Sequence, residues 1–376
     1  MSAPFLLSVL DQSPIPEGSS GAEALHNTID LAQLCDSLGY HRYWVAEHHG
    51  GPMLAGPSPE ALIGPIASAT SRIRVGSGGV MLPHYSPFKV AETFSLLAGL
   101  FPERIDLGIG RAAGTDPMTT FALQRDRRQA AADDFPQQLA ELLAYLGDRM
   151  PADHPFARLA KTLPGRPQTP ECWLLGSSPQ SAIWAAELGL PYAFADFINS
   201  EGAQIAALYR ERFAEYEHPA ERRSQTAVAV WTICAESDQE AQRLAASGRM
   251  AFTLLRRGEL IAVPPPEKAL EFLEREREAR EQPAERPSGG KAGVTPAGAP
   301  GASAHDAATR ARRRTVVGSP ETVRRELEDV ASEYRAGEVI AVNVLYDHQA
   351  RRRSYQLLAE AFSTDPALPG ERSPSD

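Results

Sequence analysis

The stretch YWVAEHHG, Tyr43 to Gly50, decides the fold. Tyr43, Trp44 and Val45 are strong strand formers, and Glu47, His48 and His49 follow almost at once. A short buried strand that stops in a carboxylate and two imidazoles delivers polar side chains to one end of a parallel sheet, as the strands of a barrel do at its mouth.

On either side of this strand the chain alternates. Upstream, Phe5 to Leu10 is an apolar run that ends in Asp11, Gln12 and Pro14. Leu25, Ile29, Ala32, Cys35 and Leu38 then fall on one helical face, with Gly39 as the stop. Downstream, Pro59 opens a helix through Ala69. Ile73 to Leu82 is a strand interrupted by Gly76, Gly78 and Gly79, where a flat ligand or another backbone comes close. A helix from Pro87 to Leu100 leads into the strand Ile105 to Gly110, which ends in GIGRA. After a long polar loop come the helix Phe135 to Leu146, the strand Cys172 to Leu175 ending in GSS, and the helix Ser178 to Leu188. The strand Tyr192 to Phe197, the helix Gly202 to Glu217, the strand Thr226 to Cys234 and the helix Asp238 to Leu255 continue the rhythm. The chain closes with the helix Pro320 to Tyr334, the strand Val339 to Leu345 and the helix Arg351 to Phe362.

Eight strands separated by helices predict an α/β chain folded as a (β/α)8 TIM barrel, one domain over 1–376. A doubly wound open sheet is the alternative, without a GxGxxG at the first strand-to-helix turn to recommend it. An insertion at 256–314, between strands 7 and 8, breaks the alternation: a charged helix in PPPEKALEFLEREREAREQ, then low complexity over about 283–308. Such an insertion is a lid over the active face or a linker, and 363–376 is a flexible tail.

Composition narrows the function. A net charge of -10 argues against nonspecific nucleic-acid binding. Cys35, Cys172 and Cys234 are scattered with no CxxC pair, which fits reduced thiols in a cytoplasmic protein and no zinc site. The apolar run at Phe5 to Leu10 is too short for a signal or a membrane span.

In a barrel, the polar residues just past each strand converge: Asp11 and Gln12, Glu47 to His49, His84 and Tyr85, Gly110 and Arg111, Gly176 to Ser178, Asp196, and Asp347 with His348. Of the two histidines, adjacent on the strand, one at most faces the site, as a general base or a metal ligand. No HxH or HxxxH spacing supports the metal. Arg111 can grip a phosphate or simply pair with a carboxylate. Ser177, Ser178 and Ser181 straddle a helix N-terminus behind Gly176, an anion site or an ordinary cap. The arginine runs at 310–314 and 351–353 are expected to be solvated faces.

In order along the chain, LSVLDQSPI, RYWVAEHH, RIRVGSGGVMLPHYSP, RIDLGIGRAAGTDP, WLLGSSPQSAIWAAELGLPYAFA and VVGSPETV resemble the bacterial luciferase-like flavin-dependent monooxygenases, most of all stand-alone oxygenases of secondary metabolism such as antibiotic biosynthesis. The resemblance runs from about Phe5 to Phe362, apart from the low-complexity stretch. It implies a two-component enzyme that takes reduced FMN from a separate NAD(P)H:flavin reductase. With O2 it would form a C4a-(hydro)peroxyflavin and hydroxylate, epoxidise or Baeyer-Villiger oxidise a small organic substrate. Related barrels use F420 for hydride transfer, and one relative only stores flavin. The resemblance further implies a catalytic role for His48, phosphate contacts from Arg111, Gly176, Ser177, Ser178 and Ser181, and a non-proline cis peptide at Gly78 and Gly79 under the flavin. It also implies a homodimer formed through helices near the second and third strands. Gly110 replaces the reactive cysteine of luciferase itself, so light emission is not expected.

Overall fold

The computed structural model describes residues 5–111, 116–124, 127, 134–199, 202–219, 222–281 and 314–362. Its strands are β1 (Leu6–Asp11), β2 (Arg42–Val45), β3 (Arg74–Met81), β4 (Ile105–Gly110), β5 (Glu171–Gly176), β6 (Tyr192–Ala195), β7 (Thr226–Cys234), β8 (Thr315–Gly318) and β9 (Glu338–Val342). All pair in parallel. They run β1 to β7 in sequence order, then β9, and β9 pairs back onto β1. The closed ring of eight strands excludes the doubly wound sheet. The helices are α1 (Gly21–Ser37), α2 (Pro59–Ala69), α3 (Pro87–Leu100), α4 (Pro117–Leu123), α5 (Phe135–Leu146), α6 (Pro179–Glu187), α7 (Gly202–Glu215), α8 (Asp238–Leu255), α9 (Pro266–Glu281), α10 (Pro320–Tyr334) and α11 (His348–Phe362).

Two elements differ from the sequence reading. β8 is a ninth strand outside the ring, paired only with the far half of β7, Trp231 to Cys234. Four residues, TVVG, give too short an apolar run to announce a strand beside a helix cap. The helix α4 lies within what reads as a polar loop, opened by Asp116, whose carboxylate accepts from the Met118 and Thr119 amides. The charged helix read at the start of the insertion is α9; the stretches 283–308 and 363–376 lie outside the described residues.

Period-two alternation along β2 builds the barrel interior from the bottom upward. Arg42 points inward at the N-terminal end, where its Nε donates to Glu338 Oε1 at 2.7 Å and its Nη1 to Asp106 Oδ2 at 2.7 Å. Arg74 adds a second guanidinium to Asp106. This plug closes the bottom. Trp44 comes next, its indole N–H donating to Asp106 Oδ2 at 2.9 Å and its ring meeting Trp173 edge-on at 5.6 Å. Ala46 and His48 follow on the same face, above the tryptophans. Tyr43 and Val45 face the other way, into the apolar layer between strands and helices that forms the main core.

Candidate active site

Above Trp44 the barrel opens into a cavity of about 500 Å³. The residues to which the family resemblance assigns catalysis or flavin contact all line it: His48, Gly78, Gly79, Arg111, Gly176, Ser177, Ser178 and Ser181. They come from the C-terminal halves of β2, β3, β4 and β5 and the turns after them, with Ser181 in the first turn of α6, and the closed ring brings these together. The size and largely apolar wall are those of a small-molecule site with a few directed polar groups.

The Glu-His-His triplet divides its work. His48 is half-buried and opens on the cavity. Glu47 is fully buried; it accepts from the Met81 amide at 2.9 Å and holds His49 Nε2 at 2.8 Å. The Tyr85 hydroxyl also bonds to Glu47, and burial, with Glu47 and Glu60 beside it, pushes the phenol pKa up. His49 meets His84 edge-on at 5.9 Å. Glu47 thereby fastens the strand end to the turn after β3, and His49 belongs to that fastening.

The floor beside Trp44 is glycine for a steric reason. A Cβ on Gly78 would stand 2.5 Å from Leu10 Cδ1 and 3.0 Å from Trp44 Cβ. The Gly78–Gly79 peptide is cis. At the opposite wall, Ser178 caps α6, with Pro179 in the first turn, and accepts weakly from the Ser181 amide at 3.4 Å. Asn199 Nδ2 donates to the Ser177 carbonyl at 2.8 Å and pins the loop. Ser181 is turned inward: its hydroxyl donates to the Ser178 carbonyl at 2.8 Å and lies 3.0 Å from the Tyr192 hydroxyl. Arg111 is exposed, with its guanidinium 5.5 Å from the Trp184 ring.

Several polar residues expected at the mouth are elsewhere. Asp11 is fully buried in an ion pair with Arg351 and accepts from the Tyr43 hydroxyl at 2.5 Å. Burial alone would raise its pKa, but Arg351, Tyr43 and the Ser13 amide outweigh that and hold it below the usual range. The expectation that 351–353 is a solvated face therefore fails at Arg351, which is 2% exposed; Arg352 and Arg353 pair with Asp30 and Glu236. His348 also goes to Asp30, at 2.7 Å, and Asp196 accepts from the Tyr334 hydroxyl. Among the arginines at 310–314, Arg314 is described and pairs with Glu333.

The sequence reading missed the apolar lining: Leu10, Phe135, Trp184, Phe197, Ile198 and Ile340. For Leu10 and Ile340 the period-two signal was present, since each shares the face of an inward neighbour. Phe135 and Trp184 enter from helices, and no strand periodicity points to them. Among the described residues no cluster of His, Cys, Asp and Glu is arranged to hold a metal, and no helix is long and apolar enough to cross a membrane.

A family model described as luciferase-like monooxygenase matches residues 5–335. A luciferase-like monooxygenase of Escherichia coli (strain K12) is 38% identical over 354 residues, covering 93% of this chain and 95% of that protein. An N-acetyl-S-alkylcysteine monooxygenase of Bacillus subtilis (strain 168) is 35% identical over 355 residues, covering 94% and 97%. The crystal structure of apo-MsnO8 superposes with a TM-score of 0.78 at 39% identity, over 95% of this chain and 97% of that one.

Proposed function

We propose, from the premise that this chain belongs to the luciferase-like monooxygenase family, that it is the oxygenase of a two-component system. It would take reduced FMN from a separate NAD(P)H-dependent flavin reductase and oxygenate a small organic molecule. The observation that carries the reading is the convergence of His48, the Gly78–Gly79 floor, Arg111 and the Ser177–Ser178 turn on one cavity.

The donor set fits a flavin phosphate. Backbone amides and hydroxyls at the start of α6 carry the positive end of the helix dipole, and Arg111 adds a full charge on the neighbouring strand. Gly78 and Gly79 line the cavity floor where a planar ring would lie, and glycine at 78 lets Leu10 and Trp44 pack directly beneath it. Bound there, reduced FMN supplies the activation of O2. His48 holds or moves a proton at the cavity face of the strand, and the apolar wall of Leu10, Trp44, Phe197 and Ile340 excludes water. The Glu47 fastening keeps the histidine's strand end in place.

Anaerobic titration of the protein with reduced FMN, and separately with reduced F420, tests the cofactor. FMN should bind and F420 should not. Saturable F420 binding without FMN binding would replace oxygen transfer with hydride transfer.

A further inference from the structure

A second cavity, of about 630 Å³, lies next to the first. An aromatic wall divides them. Phe197 faces the first cavity, while Trp231 and Phe252 face the second. Trp231 meets Phe197 edge-on at 5.5 Å and packs against Phe252 at 4.8 Å. The floor of the second cavity is apolar: Trp231 and Ile233 from β7, Val317 from β8, and Val344 just past β9.

One flank of this cavity is a single face of α8. Ala245, Arg249, Phe252 and Arg256 recur at intervals of three and four residues, which stacks them along that face. Two roles unrelated to a ligand are available to the arginines. Arg256 caps the C-terminus of α8, where a cation is favourable, and Arg249 donates to Gln242 Oε1 at 2.6 Å. Both arginines are exposed at the cavity's rim. The nearby Arg243, Arg257 and Arg277 each pair with glutamates, whereas among the described residues Arg249 and Arg256 form no ion pair with a carboxylate. The rim carries four guanidiniums, Arg249, Arg256, Arg277 and Arg280, against two carboxylates, Glu276 and Glu281, and an apolar floor beside that surplus of positive charge is complementary to an amphiphilic anion.

We propose that the second cavity binds an organic acid, its carboxylate held by Arg249 and Arg256 and its alkyl or aryl body laid against Trp231, Ile233 and Phe252. This site is separate from the cavity to which the monooxygenase reading assigns the oxygen chemistry. The binding itself requires no flavin.

The test uses the full chain without flavin or reductase, so its outcome is independent of the cofactor assignment. Decanoate and decanol, both below the concentrations at which they self-associate, are titrated while tryptophan fluorescence is followed. Decanoate should bind at least about ten-fold more tightly, the factor that one charge-assisted hydrogen bond supplies. The double variant Arg249→Gln, Arg256→Gln should abolish that preference and leave decanol binding unchanged, which also shows that the variant is folded. Oxidised FMN should not displace decanoate. The proposal is overturned by equal affinities in the unaltered protein, by a preference that survives the double variant, by loss of decanol binding along with decanoate, or by displacement with FMN.

Discussion

His48 and His49 are neighbours in sequence with the same chemistry, and strand parity separates them. Arg42, Trp44, Ala46 and His48 share the inward face, while His49 turns to Glu47. A side chain that opens on the cavity can act on a bound molecule; one held by a buried carboxylate acts on the scaffold. Replacing His48 by alanine is therefore expected to leave reduced-FMN binding within a few-fold of normal. Coupled oxygen transfer should fall by about 10²- to 10⁴-fold, the usual contribution of a positioned acid or base. Flavin titration and product formation on the same preparation separate the two effects, and unchanged turnover would remove His48 from the chemistry.

At the scale of elements, the proposed phosphate side of the cavity is the start of one helix set beside the end of one strand. Ser178 caps α6, and a Cβ on Gly176 would stand 2.1 Å from Ser181 Oγ, so the turn is packed against the helix it opens. Ser181 is already engaged with the Ser178 carbonyl and Tyr192, and the proposed phosphate contacts fall to the turn at Ser177 and Ser178 and to Arg111 beside it on the cavity wall. Arg111→Ala should weaken FMN binding by roughly ten- to hundred-fold, the range for one charge-assisted contact. Riboflavin, which has no phosphate, should bind the variant and the unaltered protein equally; an equal loss for both flavins would sink the phosphate assignment.

This junction was legible in the sequence because strand, glycine, serine and helix lie within a dozen consecutive residues. The side-chain contacts at Asp11, Asp196 and His348 were not. Their partners Arg351, Tyr334 and Asp30 lie 340, 138 and 318 residues away, beyond the reach of any local pattern. For Asp11, counting parity from Leu10 would have placed it on the outer face. β8 escaped for the opposite reason: among the described residues it pairs with the far end of β7 alone, and four residues carry too little pattern.

At the scale of the whole molecule, the closed barrel concentrates charge at its bottom, and that sets how stability responds to pH. His41 sits beside the Arg42 plug, its Nε2 3.2 Å from Arg42 Nη2. Burial, and then the Arg42 charge, push its pKa down to about 4 from an ordinary 6.5. Between those values the unfolded chain binds a proton that the folded chain refuses, so this group's contribution is complete above about pH 6.5 and is lost as pH falls toward about 4. Glu338 works in the other direction, since burial raises its carboxyl pKa and folding then favours its protonated form at low pH. The absolute slope mixes the two, and the difference between the protein and His41→Gln isolates the imidazole. Urea midpoints measured at pH 7.5 and pH 5.0 should fall more steeply in the unaltered protein than in the variant. Parallel midpoints in the two proteins would mean that His41 takes up its proton in the folded state as readily as in the unfolded chain, and that the plug's guanidinium does not govern it.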